Sequence, residues 1–254
     1  MTGLRSAAVE TTLAAALIFL APGTLRADSF RDHLLSRIEQ KSLNVQSYKA
    51  SFDLWVRAGE EEFSLVGTTL YKRPKMLRVE MVLRDEKGLN QVLYQKGGLV
   101  WQYLPSAKVA FRRQEDVLRE KFPDAFASQD LLNIQNPFDL VESGTVKFID
   151  EEQVSGETTY LFEGVPKKAI RYQGFLSPAL CRMRVADQDG LLRDLVMYDG
   201  AGVEIMKQHF WDIQLNLELL EEEFDFRPED VKLIEVTKHT IKKMELLMQG
   251  GGLP

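Results

Sequence analysis

This chain of 254 residues has one cysteine, three histidines and nine prolines. A single cysteine, Cys181, excludes an internal disulfide and any zinc site built on cysteine pairs. His33, His209 and His239 are scattered, and no two stand at a metal-pair spacing. GxSxG, HExxH, Walker A and GxGxxG are all missing. The fragment Asp187-Gln188-Asp189-Gly190 lacks the later glutamate of a calcium loop and reads as a hairpin turn. These gaps leave no catalytic residues, no metal ligands and no cofactor site to name, so the expectation is a protein that is not an enzyme.

A basic excess is missing too. The formal net charge is −6, which disfavours a nucleic-acid partner. Glu221-Glu222-Glu223 is the longest acidic run and reads as a solvated turn. Apolar runs are short, with one telling case near the start. Arg5 precedes the unbroken stretch Leu13 to Ala21, and Pro22-Gly23 interrupts it before Leu25-Arg26-Ala27. That order is a secretory leader, 1-27, with cleavage expected after Ala27. The stretch falls well below the ~20 apolar residues of a spanning helix. No cysteine stands directly after the cut, so no lipid anchor is expected on the mature chain, which should be soluble in the periplasm.

The hydrophobic share, 44%, supports a sizeable core, and the length suits a single β-rich domain. Phe30, Leu34, Leu35 and Ile38 share one face of an amphipathic helix. The period then becomes two. Phe52, Leu54 and Val56 alternate with polar residues, as do Leu77, Val79, Met81 and Leu83, while Leu99, Trp101 and Tyr103 share a parity. Turn signals fall at Arg57-Ala58-Gly59, Arg73-Pro74, Asp85 to Gly88, Gly97-Gly98 and Leu104-Pro105-Ser106.

Between Glu115 and Pro137 the apolar spacing predicts one or two short helices broken by Pro123. Strand patterns return at 146–148, 160–162, 183–185 and 195–198. From Ile205 to Leu219 the odd positions Trp211, Ile213, Leu215, Leu217 and Leu219 predict one long strand with an apolar side. The domain is therefore placed at 28-236, and the tail 237-254 is a short basic helix or disorder. The fold class is α+β, predominantly antiparallel β. An apolar sheet face needs a cover, and helices near 30–40 and 116–135 are the available ones. The space beneath is either a packed core or a site for something greasy.

Four segments, in order, resemble the LolA-type periplasmic carriers of outer-membrane lipoproteins. Ser47-Tyr48-Lys49-Ala50-Ser51-Phe52 resembles that family's first strand. Gly67 through Tyr71-Lys72-Arg73-Pro74-Lys75-Met76-Leu77-Arg78 resembles its strand ending in Arg-Pro. Gly97-Gly98-Leu99-Val100-Trp101-Gln102-Tyr103-Leu104-Pro105 is similar to its strand bearing Trp and Tyr two apart, and Phe224-Asp225-Phe226-Arg227-Pro228 to its late Phe-x-Phe-x-Pro segment.

The resemblance implies an incomplete, half-open β-barrel with a helical lid over an apolar cavity. It implies a monomeric carrier that takes an acylated lipoprotein or lipid from an inner-membrane ABC-type release complex to an outer-membrane acceptor, with no cofactor. Arg73 would be the lid latch, and Leu77, Val79, Trp101 and Tyr103 the lining. A sixteen-carbon chain left in water costs about 12 kcal/mol at ~0.8 per CH₂, so such cargo needs a shield. A non-transporting lipid-sensing module on the same fold is the other reading. The stretch Lys167 to Glu223 and the tail depart from the family pattern.

Overall fold

The computed structural model describes residues 23–84, 90–122, 132–167, 176–227 and 229–248. Most of the expected leader, the turn at 85–88, the break at Pro123 and Pro228 of the Phe-x-Phe-x-Pro segment lie outside the described residues. Helix α1 spans Gly23–Asn44 and leads directly into β1, Ser47–Ala58. Strands β2 (Glu61–Lys72), β3 (Met76–Leu83), β4 (Asn90–Lys96), β5 (Leu99–Leu104) and β6 (Val109–Gln114) follow as antiparallel neighbours. After the short helix α2, Glu115–Lys121, come β7 (Lys147–Val154), β8 (Glu157–Gly164), β9 (Leu180–Ala186), β10 (Leu192–Tyr198) and β11 (Glu204–Leu215).

Strand β11 pairs with β1 and joins the two meanders into one sheet. A last short strand, β12 (Lys232–Glu235), adds to β6 in parallel. The twelve-stranded order is β12-β6-β5-β4-β3-β2-β1-β11-β10-β9-β8-β7, so β12 and β7 are its edges and the sheet does not close into a barrel. Edge strand β7 carries Asp150, Glu151 and Glu152 and a register irregularity between Phe148 and Asp150. Charge and irregularity both discourage further strands from adding there.

The tail forms helix α3, Thr237–Met248, and Lys121 of α2 forms an ion pair with Glu245 on it. Of the second expected cover, helix α2 before Pro123 is described, and residues 123–131 lie outside the described residues. α2 has seven residues, and Leu118 and Phe122 are buried outside the main core.

One sheet face holds that core. Tyr48, Phe52 and Val56 of β1, Leu77, Val79 and Met81 of β3, Phe162 of β8, Met183 and Val185 of β9, and Leu195 and Met197 of β10 pack with Leu34 and Ile38 of α1. This inner face follows from alternation, since every second strand residue points the same way. Gly67 of β2 serves it by lacking a side chain: a Cβ there would lie 2.7 Å from the Phe52 ring.

Strand β11 departs from the single long strand expected to Leu219. Asp212 has φ +50° and the register with β1 shifts between Lys49 and Ser51. An extra residue reverses parity. Phe210 is therefore buried in the core, Trp211 is exposed, and Ile213 and Leu215 return to pack on the core. A second positive φ, at Asn216, marks the strand's end, after which Leu217 and Leu219 continue as irregular chain.

Candidate functional site

Helix α1 is fixed to the inner face at three places. Along its length, Arg37 and Lys41 form ion pairs with Asp187 at the β9–β10 turn, at 3.0 and 2.9 Å. The Arg37 guanidinium also donates to the Tyr160 hydroxyl. The Lys41 ammonium holds the Asp187 carboxyl below its ordinary range, against a smaller opposing effect of burial. Beside this cluster, the absence of a side chain at Gly190 lets the turn approach the helix backbone. Its φ is +71°, and a Cβ would lie 2.3 Å from the Ile38 carbonyl oxygen.

The third place is the C-terminal end of α1. The last carbonyls of a helix have no partner within it. Arg73, in the β2–β3 turn, donates from Nε to the Val45 carbonyl at 3.0 Å and from its guanidinium to the Ser42 carbonyl at 3.5 Å. Its backbone N–H donates to the Gln46 carbonyl at 2.9 Å. Gln135 Nε2 reaches the same two acceptors, Val45 at 2.8 Å and Ser42 at 3.4 Å. A cation at this end also suits the helix dipole. Two side chains from separate segments thus converge on one pair of carbonyls.

Gln135 belongs to a stretch, 132–136, that crosses the inner face. Thr69 of β2 donates to the Leu132 carbonyl, the Ile134 N–H donates to the Tyr48 hydroxyl of β1, and the Leu192 N–H of β10 donates to the Ile134 carbonyl. Tyr48 in turn donates to Asn133 Oδ1 and stacks on Tyr71 at 5.2 Å. Burial drives the Tyr48 hydroxyl far above its ordinary range, so it remains a neutral donor. The Cys181 thiol is pushed up to about 12 by burial and is unreactive at neutral pH. Among the described residues, no group of three or more His, Cys, Asp or Glu side chains is placed to hold a metal ion, and no helix is long and apolar enough to cross a membrane.

The five residues singled out in the sequence do not share one wall. Leu77 and Val79 are buried on the inner face, and Arg73 stands at its end. Trp101 and Tyr103 are on the opposite, outer face, which corrects the expected lining. Val79 pairs with Leu93, Gln95 pairs with the buried Val100, and Trp101 pairs with Tyr94. Inner parity on β5 therefore belongs to Val100 and Gln102.

Trp101 and Tyr103 lie against Phe226, with ring centroids 4.9 and 5.5 Å away, and the Arg112 guanidinium lies over Trp101. Phe226 is on a strap that crosses the outer face after β11. Lys72 donates to the Leu219 carbonyl, Arg78 to the Glu223 carbonyl, and Lys96 to Asp225. Alternation located both faces of β5 but could not tell which one the strap would cover.

Space beneath the cover is uneven. A cavity of about 270 Å³ lies between Tyr71, Leu77 and Gln95 of the sheet and Glu115 and Arg119 of α2. It is slightly below the ~300–1,000 Å³ of ordinary ligand pockets. At the other end of the strands, around the β1–β2 hairpin, the inner-face residues Leu54, Phe63 and Leu65 are half-buried and pack only partly on the core. The inner face is thus closed over β8 to β11 and at Val56, and only partly covered along Leu54, Leu65 and Phe63.

No protein-family model and no curated protein matches the chain. Among solved structures it is similar to an uncharacterized conserved protein from Thermus thermophilus, with 13% identity, 81% of this chain and 99% of that one covered, and a TM-score of 0.55. It is also similar to lipoprotein LppX of Mycobacterium tuberculosis, with 14% identity, 76% and 99% covered, and a TM-score of 0.45. The corresponding values for a LolA superfamily protein from Nitrosomonas europaea are 12%, 77% and 97%, and 0.35. The Thermus likeness bears on the fold alone, and the other two are too distant to weigh further.

Proposed function

We propose that the chain is an exported, non-enzymatic module that binds the acyl chains of lipoproteins or related lipids on its inner face and carries them through the periplasm. The observation that carries this reading is the closure at the end of α1. Arg73 and Gln135 hold the Ser42 and Val45 carbonyls, at and just past the end of α1, beside an apolar sheet face, and that face is only half-covered at Leu54, Phe63 and Leu65. The four family-like segments and the leader support it. A guanidinium bonded to carbonyls is a reversible fastening: its hydrogen bonds exchange with water at a net cost of about 1.5–3 kcal/mol when a charged group is involved, small enough for cargo to offset.

In this reading Arg73 is the latch, Leu77 and Val79 form part of the apolar floor of the inner face, and Trp101 and Tyr103 support the strap outside. Cargo would come from an inner-membrane release complex and pass to an outer-membrane acceptor. Native mass spectrometry of the full-length protein isolated from the periplasm is expected to show copurifying acylated peptide or lipid; protein that is always empty would sink the proposal. Transfer to acceptor vesicles then separates carrier from sensor. Arg73→Leu is expected to fold normally and transfer cargo slowly, whereas a lipid-sensing module would hold its lipid and transfer none even with Arg73 intact.

A further inference from the structure

Across the middle of the sheet, Leu195 of β10, Gln208 of β11, Leu54 of β1, Leu65 of β2 and Leu83 of β3 are paired one to the next on the inner face. Four are leucines and the fifth is an amide. Burial changes along the row: Leu195 is fully buried, Gln208 is 2% exposed, and Leu54, Leu65 and Leu83 are half-buried. Gln208 therefore stands at the boundary where the packed core on β10 gives way to the half-buried apolar strip. From there the row runs three strand spacings, about 14 Å, to the half-buried Leu83.

Among the described residues, the amide at this boundary has no partner for either of its polar atoms. Both Nε2 and Oε1 are buried without a hydrogen bond. A buried amide in that condition costs roughly 1–3 kcal/mol, and a leucine or methionine would fill the same volume without it. The neighbouring inner-face residues of β11, Met206 and Phe210, are apolar and buried and offer no second polar group. A donor and an acceptor side by side at the inner end of a greasy strip complement a ligand that is mostly hydrocarbon but carries a carbonyl.

We infer that Gln208 is the polar contact of the inner face, with Nε2 donating to the carbonyl that joins an acyl chain to its carrier molecule. The ligand class is therefore acyl esters and amides, as distinct from plain hydrocarbon chains, and Oε1 accepts from an adjacent N–H or hydroxyl. This rests on the reading of the inner face as an acyl-binding surface, and it adds a residue that selects among apolar ligands. Held this way, the linkage sits at Gln208 and the chain lies along the leucine row.

The test uses the full chain and two lipids that differ only in the carbonyls: dipalmitoyl phosphatidylglycerol and its dihexadecyl ether analogue, offered in vesicles. Wild type is expected to take up the diester about tenfold better than the diether, the ratio one hydrogen bond can supply. Gln208→Met is expected to bind both equally and to unfold at higher urea than wild type, because the unpaired amide is gone; Gln208→Leu serves if the methionine variant misfolds. An unchanged diester preference in these variants would overturn the role of Gln208 and leave the acyl-binding surface standing. Uptake of neither lipid by wild type would remove both.

Discussion

The two halves of the inner face are built from similar residues but packed differently. On β8, β9 and β10, Phe162, Met183, Leu195 and Met197 are fully buried. At the β1–β2 hairpin, Leu54, Phe63 and Leu65 point the same way and remain half-buried. The first half stabilises the molecule; the second leaves apolar surface for something else to cover. The difference is local rather than a matter of strand end, because Val56 at the same hairpin is buried beside Met206 and Met197.

Truncations on the two halves should separate them most widely. Phe162→Ala is expected to cost about 3–5 kcal/mol, the usual loss for a fully buried aromatic, whereas Leu65→Ala should fall below the ~2–5 kcal/mol of a buried leucine and should instead reduce lipid uptake. Urea unfolding of both variants measures this, and equal losses would erase the contrast. Gly190→Ala comes next. The new Cβ would meet the α1 backbone and the positive φ would be strained, a cost of about 1–3 kcal/mol. Hydrogen exchange should quicken in α1 while the β1–β2 hairpin is unchanged; uniform quickening would mean that the two halves do not open separately.

The smallest effect concerns acid. Asp187, depressed by Lys41 and Arg37, contributes to α1 docking above its unfolded pKa of about 3.9, and that contribution is lost as pH falls through the lower folded value. For a partly exposed cluster it amounts to about 1 kcal/mol or less. The stability gap between wild type and Asp187→Asn should therefore close below about pH 4. A gap that persists to pH 2 would assign the effect to packing rather than charge.

Much of this architecture was legible in advance. The 3.6-residue spacing of Leu34 and Ile38 marked α1, and alternation marked β1, β3 and β5, because both patterns arise from a cover meeting a sheet. The parity of Trp211 was misleading, because one extra residue near Asp212 reverses it and nothing in the local pattern announces a bulge. The family resemblance pointed to Trp101 and Tyr103 as lining, and their side of β5 is the greasier one; the strap that covers them comes from more than a hundred residues away. Arg73 lay in an obvious turn, but its contact with the end of α1 depends on the whole chain between. Gln208 could have been noticed as a polar residue at the parity of Met206 and Phe210.

The unpaired edges β7 and β12 have a mechanical consequence. In a closed barrel, girth is fixed by the ring of backbone bonds, and widening it means breaking a seam. Here, among the described residues, the two rims are not paired with one another, so the sheet can flex like a cupped hand with every interstrand bond intact. Resistance to that flexing is set by what spans the hollow, the helix and the crossing stretch, rather than by the strands.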